Sequence, residues 1–163
     1  MTSNNPCESG LFWGMCDIQS LSIRVAVLDD AEAIRTCLGS AYAASMQEIT
    51  DLPDVTSGIH DDIKSHQVVI AEAGAQLLGV IVFDRQPDAV KIFNLGVSSE
   101  AQGRGVARQL LDAAEAFAVT SDLWILRLST HRLMSGTRAM YLHLGWREVD
   151  ATGNTIIMEK RLS

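Results

Sequence analysis

Two glycines and two arginines stand at the start of a long apolar-periodic segment, and their spacing suits the binding of an anion. The stretch is QGRGVAR, with Gly103, Arg104, Gly105 and Arg108. The first N–H groups of a helix have no partner within the helix, and the helix dipole adds positive charge there. Glycine has no Cβ, so a phosphate can approach the backbone closely. The same residues are equally compatible with an ordinary strand-to-helix turn that carries solvated arginines.

Two familiar phosphate-binding motifs are excluded at this turn. The dinucleotide-binding pattern GxGxxG needs a third glycine at the position of Arg108. A P-loop needs Gly-Lys followed by Ser or Thr, and the sequence has no such tripeptide. If the turn binds a phosphate, it does so as a different motif.

The histidines and cysteines show no spacing typical of a metal site, and we expect no metal. We interpret all four histidines as surface or loop residues: His60, His66, His131 and His143. The cysteines are odd in number and form no CxxC pair: Cys7, Cys16 and Cys37. This pattern argues against a disulfide framework or a zinc site and favours a reducing cytoplasm.

The composition is typical of one globular domain without a nucleic-acid-binding face. The chain has 163 residues and a net charge of −7, so its overall charge does not indicate a basic surface of the kind that binds nucleic acids. No apolar run approaches the ~18–20 residues that span a bilayer, so we expect no membrane partner. Residues 1–20 lack the basic start and apolar core of a signal peptide, and we interpret them as a flexible extension before a domain at 21–163.

Apolar periodicity predicts the element order β-α-α-β-β-β-α-β-α-β-β. A strand around Ile23–Val27 precedes a helix from Ala31 to about Ala44, which Asp29 or Asp30 is placed to cap. The remaining elements are a short helix at 57–65, a hairpin at 67–85 turning at Gly74, a strand at 89–97, a helix from Gln102 to about Val119, a strand at 123–130, a helix ending at Gly145, and two strands joined at Gly153-Asn154. Hairpins mixed with crossovers imply a mixed sheet with helices on both faces.

Two segments carry a resemblance to a known family. Val97 followed by QGRGVA at 102–107 resembles the (Q/R)xxGx(G/A) motif of the GNAT superfamily of N-acetyltransferases. AMYLHLGWREV resembles the family's second motif, with Tyr141 and Gly145 in register and Trp146 in place of the usual phenylalanine. A frequent asparagine seven residues before the tyrosine is Met134 here. The resemblance implies an α/β (α+β) fold with a GNAT-like mixed, mostly antiparallel sheet of about seven strands, flanked by about four helices.

The resemblance also implies acetyl-CoA as co-substrate and direct acetyl transfer to a primary amine of a small molecule or peptide. The expected cofactor-binding residues are Leu95, Val97, Gln102, Gly103, Arg104, Gly105, Val106, Ala107 and Arg108. The strand that ends at Val97 would pair with the pantetheine arm, and the Val97 N–H would stabilise the developing oxyanion. Tyr141 would protonate the leaving thiolate, since the reference pKa is ~10 for tyrosine and ~8.5 for a thiol.

The base that deprotonates the amine is not evident from the sequence. The family's glutamate on the central strand is missing, because this chain has Lys91 and Asn94 in that region. We name Glu72 as the candidate, with Glu48 and Asp51 as alternatives near the acceptor pocket, and each is also compatible with a solvated carboxylate. Tyr42 can line that pocket or simply pack. A CoA-binding sensor or scaffold with weak catalysis, a longer-chain acyltransferase and a homodimer remain open alternatives.

Overall fold

The computed structural model describes residues 21–163, so the expected extension at residues 1–20 lies outside the described residues, as do Cys7 and Cys16. The strands are β1 (Leu21–Val25), β2 (Gln67–Ala73), β3 (Gln76–Arg85), β4 (Val90–Val97), β5 (Ile125–His131), β6 (Arg147–Thr152) and β7 (Thr155–Arg161). The α-helices are α1 (Ala31–Glu48), α2 (Ile59–Ser65), α3 (Val106–Thr120) and α4 (Ser135–His143). No helix in this part of the chain is long and apolar enough to cross a membrane.

The seven strands form one sheet in the order β1-β2-β3-β4-β5-β7-β6. Every neighbouring pair is antiparallel except β4 and β5, which are parallel and are connected through α3. A parallel pair needs such a crossover, whereas antiparallel neighbours can be joined by tight turns. The mixed, mostly antiparallel sheet and the four helices predicted from the sequence are therefore confirmed.

Alternating side chains of the central strands build a separate apolar core on each face of the sheet. Val68 and Ile70 of β2 pack with α1 and α2, together with Val80 and Val82 of β3. The residues between them face α3 on the opposite side: Val69, Ala71, Ile81 and Phe83. Since successive side chains of a strand point to opposite faces, a strand with two apolar faces is covered by helices on both sides.

Two glycines let these helices lie close to the sheet. A Cβ at Gly96 in β4 would stand 2.7 Å from Leu38 Cδ2 of α1. On the other face, a Cβ at Gly79 in β3 would stand 2.9 Å from Val106 Cγ1, at the start of α3. Real Cβ atoms do not approach other atoms that closely, so a larger residue at either position would force the helix side chain above it to shift. The contacts fix α1 and the first turn of α3 against the strands that border the site described below.

Three local predictions were wrong. α3 begins at Val106 and not at Gln102, because Gly103 and Gly105 have φ of +79° and +83°, outside the right-handed helical region. α1 continues past Ala44 to Glu48, through residues that favour helices. The carboxylate of Asp30 does not cap α1: it accepts hydrogen bonds from the Val27 N–H at 2.7 Å and from Arg24 at 2.9 Å.

Candidate active site

A cleft of about 1010 Å³ opens in the sheet where β4 and β5 separate. The two strands pair only from Val90 to Ile92 and from Leu126 to Leu128. Beyond that point the pairing of β4 with β3 jumps from Phe83–Ile92 to Val82–Asn94, so Phe93 is the extra residue of a β-bulge. A bulge bends its strand and increases the local twist. The second half of β4 and the end of β5 therefore become the two walls of the cleft.

The second half of β4 presents backbone groups to this cleft. The Ser98 N–H donates a hydrogen bond to Leu78 O of β3, so the backbone groups of Ser98 point toward β3. Alternate residues of a strand direct their backbone groups to opposite edges, so those of Leu95 and Val97 point away from β3. Their carbonyl oxygens accept hydrogen bonds from the Tyr42 hydroxyl at 3.0 Å and from Gln102 Nε2 at 3.1 Å, respectively. Leu95 and Val97 thus lie on an open strand edge, where an extended ligand can pair.

The glycine-rich turn lies against the same cleft and leaves a helix N-terminus accessible. Gly103 and Gly105 line the cleft, and open space surrounds the position of a Cβ at either one. Gly105 precedes the first turn of α3, which contains no acidic residue. Arg104 and Arg108 are exposed and form no ion pair with any residue from 21 to 163. Free N–H groups, available space and two guanidinium groups without an ion pair make this turn suitable for a diphosphate, and of the two arginines Arg108 lines the cleft.

Tyr141 is buried at 4 % exposure and lines the cleft from α4. Its ring packs edge-on against Trp146, with the ring centroids 5.2 Å apart. Burial, with a smaller contribution from the neighbouring Tyr42, raises the pKa of Tyr141 far above that of free tyrosine. The group is therefore a hydroxyl and not a phenolate at neutral pH. Within residues 21–163 this hydroxyl has no hydrogen-bond partner, so it is available to a ligand in the cleft.

Tyr42 of α1 supports the opposite wall. Its hydroxyl donates to Leu95 O at 3.0 Å and lies 3.2 Å from Asn94 Oδ1. Burial raises its pKa to about 12, so it too is a neutral donor. The sequence left Tyr42 between a pocket role and a packing role, and the structure gives it both, because it lines the cleft and ties α1 to β4.

A second polar cluster on the cleft wall contains Asp51, His131 and Asn154. Asp51 Oδ1 lies 2.7 Å from His131 Nε2, and Asp51 Oδ2 accepts a hydrogen bond of 3.0 Å from Asn154 Nδ2. These two hydrogen bonds, the one from Asn154 first, lower the pKa of Asp51. All three residues line the cleft. The prediction that His131 is a surface or loop residue was wrong, because it ends β5 and is 9 % exposed.

The structure does not bring the other two carboxylates named from the sequence into the cleft. Glu72 of β2 is held by Arg24, with Glu72 Oε1 2.7 Å from Arg24 Nε, and it is not among the cleft-lining residues. Glu48 is an exposed residue at the end of α1 and also lies outside the lining. Among the cleft-lining residues from 21 to 163, Asp51 is the only carboxylate.

Cys37, the one cysteine in residues 21–163, is buried against β4 and is not part of the cleft lining. Burial raises the pKa of its thiol to about 11, so it is a thiol and not a nucleophilic thiolate at neutral pH. Within the same residues, no three His, Cys, Asp or Glu side chains are grouped so that they can hold a metal ion.

Sequence reasoning named the glycine-rich turn and Tyr141, but it missed His131 and Asn154 as parts of the cleft. Asn154 was visible only as a turn residue between two strands, and His131 only as a polar residue near a strand end. Their shared partner, Asp51, lies 80 residues before one and 103 before the other. No local pattern marks a contact over such separations. Met134, which stands where the resemblance leads one to expect an asparagine, also lines the cleft.

The geometry can be compared with known proteins. Residues 64–148 match the family model described as an acetyltransferase (GNAT) domain. The chain is 27 % identical to N-acetyltransferase 8F1 of Mus musculus over 105 residues, which cover 61 % of this chain and 47 % of that protein. It thus spans about half the length of the curated relatives it matches.

Solved structures show the same fold. The PaiA N-acetyltransferase of Thermoplasma acidophilum, crystallised in complex with coenzyme A, aligns with a TM-score of 0.79 at 21 % identity, over 87 % of this chain and 99 % of that chain. The ribosomal-protein-S18-alanine N-acetyltransferase of Escherichia coli aligns with a TM-score of 0.71 at 17 % identity, over 88 % and 94 % of the two chains. Together with the match over more than half of the sequence, this places the chain in the GNAT acetyltransferase family.

Proposed function

We propose that this protein is an acetyl-CoA-dependent N-acetyltransferase that acetylates a primary amine of a small molecule or peptide. One observation carries the proposal: a single cleft joins an accessible helix N-terminus, an open strand edge and a buried tyrosine hydroxyl. The first suits a diphosphate, the second an extended amide-containing chain, and the third a leaving group that needs a proton. The residues present therefore fit coenzyme A.

The glycine-rich turn is proposed to hold the pyrophosphate. The N–H groups at the start of α3 can donate hydrogen bonds, and Arg104 and Arg108, which form no ion pair within residues 21–163, add positive charge. Gln102 contributes indirectly, because its side chain holds Val97 O and so ties the turn to β4.

The open edge of β4 is proposed to orient the reactants. Leu95 and Val97 present backbone groups for pairing with the pantetheine arm, and Tyr42 keeps this part of β4 in place. Acetyl-CoA supplies an acyl group activated as a thioester. Holding an amine beside such a group is worth about 7–11 kcal/mol in favourable cases, so positioning is the largest contribution expected from the protein.

Tyr141 is proposed to donate a proton to the sulfur as the C–N bond to the neutral amine forms and the C–S bond breaks. The proton that the amine nitrogen loses then restores the Tyr141 hydroxyl, so the products are the acetylated amine and the free thiol of coenzyme A. Its raised pKa keeps the proton on the hydroxyl, but it also makes the group a weaker acid than free tyrosine. The same dry surroundings raise the proton affinity of a thiolate, since burial disfavours every charged form. The amine acceptor, a homodimer and a cytoplasmic location remain predictions.

The proposal is tested by thiol release from acetyl-CoA across a panel of amines, amino acids, peptides and aminoglycosides. Coenzyme A binding is measured separately by calorimetry. Turnover with an acceptor supports an enzyme, whereas tight coenzyme binding without turnover on any acceptor would indicate the sensor or scaffold instead. Faster turnover with a longer acyl-CoA would replace acetyl transfer by longer-chain acyl transfer.

Gly105→Glu tests the pyrophosphate site directly. The variant adds bulk and negative charge beside the start of α3, so we expect coenzyme A affinity to fall at least about 100-fold, as for loss of charge-assisted hydrogen bonds. Gly74→Glu is the matched control, because Gly74 also has positive φ, of +61°, and open space at its Cβ, but lies in the β2–β3 turn. Equal coenzyme A affinity in the two variants would show that the glycine-rich turn does not bind the pyrophosphate.

A further inference from the structure

The carboxylate of Asp51 is the single fixed negative charge on the cleft wall within residues 21–163. It lies in the segment between α1 and α2, and its side chain is 54 % exposed. The single Arg or Lys side chain that lines the cleft in the same part of the chain is Arg108, which belongs to the first turn of α3. The cleft thus has one cationic residue, at the turn proposed for the pyrophosphate, and one anionic residue, held by β5 and by the β6–β7 turn.

Both carboxylate oxygens of Asp51 are hydrogen-bonded. The Leu133 N–H donates to His131 Nδ1 at 3.0 Å, so Nδ1 is an acceptor and the proton of the neutral imidazole is on Nε2. Nε2 therefore donates to Asp51 Oδ1 at 2.7 Å, while Asn154 donates to Oδ2 at 3.0 Å. Each carboxylate oxygen has one fixed donor and further acceptor capacity, and the exposed part of the group faces the cleft.

This arrangement suits the binding of a cation better than the removal of a proton. Both hydrogen bonds favour the ionised form of Asp51 and lower its pKa, so the carboxylate is a weak base. A carboxylate next to an ammonium group also stabilises the ammonium form. An amine bound at Asp51 would therefore keep its proton and could not attack a thioester.

We propose that Asp51, positioned by His131 and Asn154, binds a second, non-reacting ammonium group of the acceptor, so that the preferred acceptors are dibasic amines. The inference rests on the proposed acetyl transfer. In that reaction the attacking nitrogen of the acceptor must be neutral, whereas its second nitrogen can remain an ammonium group and bind Asp51. Asp51 and Asn154 lie outside residues 64–148, which match the family model, so the inference is drawn from the contacts of this chain.

The test compares diamines with monoamines of equal chain length: 1,4-diaminobutane with butylamine, and 1,3-diaminopropane with propylamine. For the unmodified protein we expect kcat/KM for the diamine to exceed that for the monoamine by about 10- to 100-fold, the usual range for one charge-assisted hydrogen bond. In Asp51→Asn the two values should become similar, through a higher KM for the diamine with kcat nearly unchanged.

Asp54→Asn is the matched control for this variant. Asp54 lies on the same segment and carries the same charge, but its carboxylate bonds Thr56 and is not part of the cleft lining. Asp54→Asn should retain the preference for diamines. Asn154→Ala should raise KM for 1,4-diaminobutane and leave the rate at saturation unchanged, since Asn154 acts only by holding Asp51. An unchanged KM in Asn154→Ala would show that Asn154 does not position Asp51.

A binding measurement separates this inference from the proposed function. Butylamine and 1,4-diaminobutane are titrated into the coenzyme A-loaded protein, and the imidazole nitrogens of His131 are followed by NMR. Tighter binding of the diamine with a shift at His131, lost in Asp51→Asn, supports the inference even if no acetyl transfer occurs. Acetyl transfer with equal efficiency for both amines, or binding unaffected by Asp51→Asn, would overturn the inference and leave the proposed function standing.

Discussion

The surroundings of Tyr141 change the chemical properties of its side chain. Free tyrosine is a modest acid, but here the ring is enclosed by α4 and Trp146 and the hydroxyl has no hydrogen-bond partner within residues 21–163. Because Tyr141 lines the cleft, its hydroxyl is open to a hydrogen bond with a molecule bound there.

Tyr141→Phe removes the hydroxyl and preserves the ring against Trp146. We expect kcat to fall by about 10²- to 10⁴-fold, the usual range for a general acid, with coenzyme A affinity and Tm nearly unchanged. Stopped-flow thiol release and calorimetry measure the two quantities separately. A variant that retains the full rate over the whole pH range would show that Tyr141 only packs.

At the scale of elements, the cleft depends on how closely α1 lies against β4. Leu38 is fully buried beneath Gly96, and Tyr42, one helical turn later, reaches Leu95 O. The helix thus both closes one face of the core and supports the wall on which an extended ligand would pair. Displacement of α1 would move that wall.

Gly96→Ala places a Cβ 2.7 Å from Leu38 Cδ2 and 3.3 Å from Ala41 Cβ. We expect the free energy of unfolding to fall by about 1–3 kcal/mol, as for other overpacked cores, and KM for acetyl-CoA to rise. Gly39→Ala is the control: its Cβ meets nothing within 4 Å inside α1, so it should stabilise the protein by about 0.5–1 kcal/mol. Urea titration of both variants measures the effect, and equal stability would contradict the close contact.

The elements themselves could be predicted from local patterns, and the cleft only in part. Period-two apolar runs predicted the strands, and the QGRGVA turn predicted the position of a binding site between a strand and a helix. The bulge at Phe93 could not be predicted, because it is defined by pairing with β3 and Phe93 fits a regular strand equally well. Glu72 was named as a base from its place in a hairpin, but Arg24 holds it outside the cleft.

At the scale of the whole molecule, ion pairs join segments that are distant in sequence. Arg24 at the end of the sheet bonds both Asp30 and Glu72, and Arg127 of β5 bonds Asp88 and Glu159. The hydrogen bond from Arg24 is the main cause of the lowered pKa of Asp30. A carboxyl group whose pKa is lower in the folded protein than in the unfolded chain stabilises the fold at any pH above its ordinary pKa. That stabilisation is lost as the pH falls through the lower pKa of the folded protein.

Asp30→Asn should therefore lower the free energy of unfolding at pH 7 and make that free energy less dependent on pH in the acid range. We expect Tm at pH 7 to fall by about 3–6 °C, with a difference from the unmodified protein that shrinks as pH decreases from 5 to 2. Asp29→Asn, a change of the exposed neighbouring residue, is the control and should leave Tm nearly unchanged. A constant difference at every pH would mean that the lost contribution is not that of the carboxylate.

The contact between Asp51 and Asn154 joins residues separated by 103 positions, and the cleft lining extends from Ala41 to Thr155. A ribosome releases a chain from its N-terminus, so the glycine-rich turn leaves the exit tunnel well before the hairpin that completes the opposite wall. When the turn proposed to bind the pyrophosphate has been released, Asn154, one of the two partners of Asp51, has still to be synthesised. Selectivity for an acceptor would then be among the last properties acquired during synthesis.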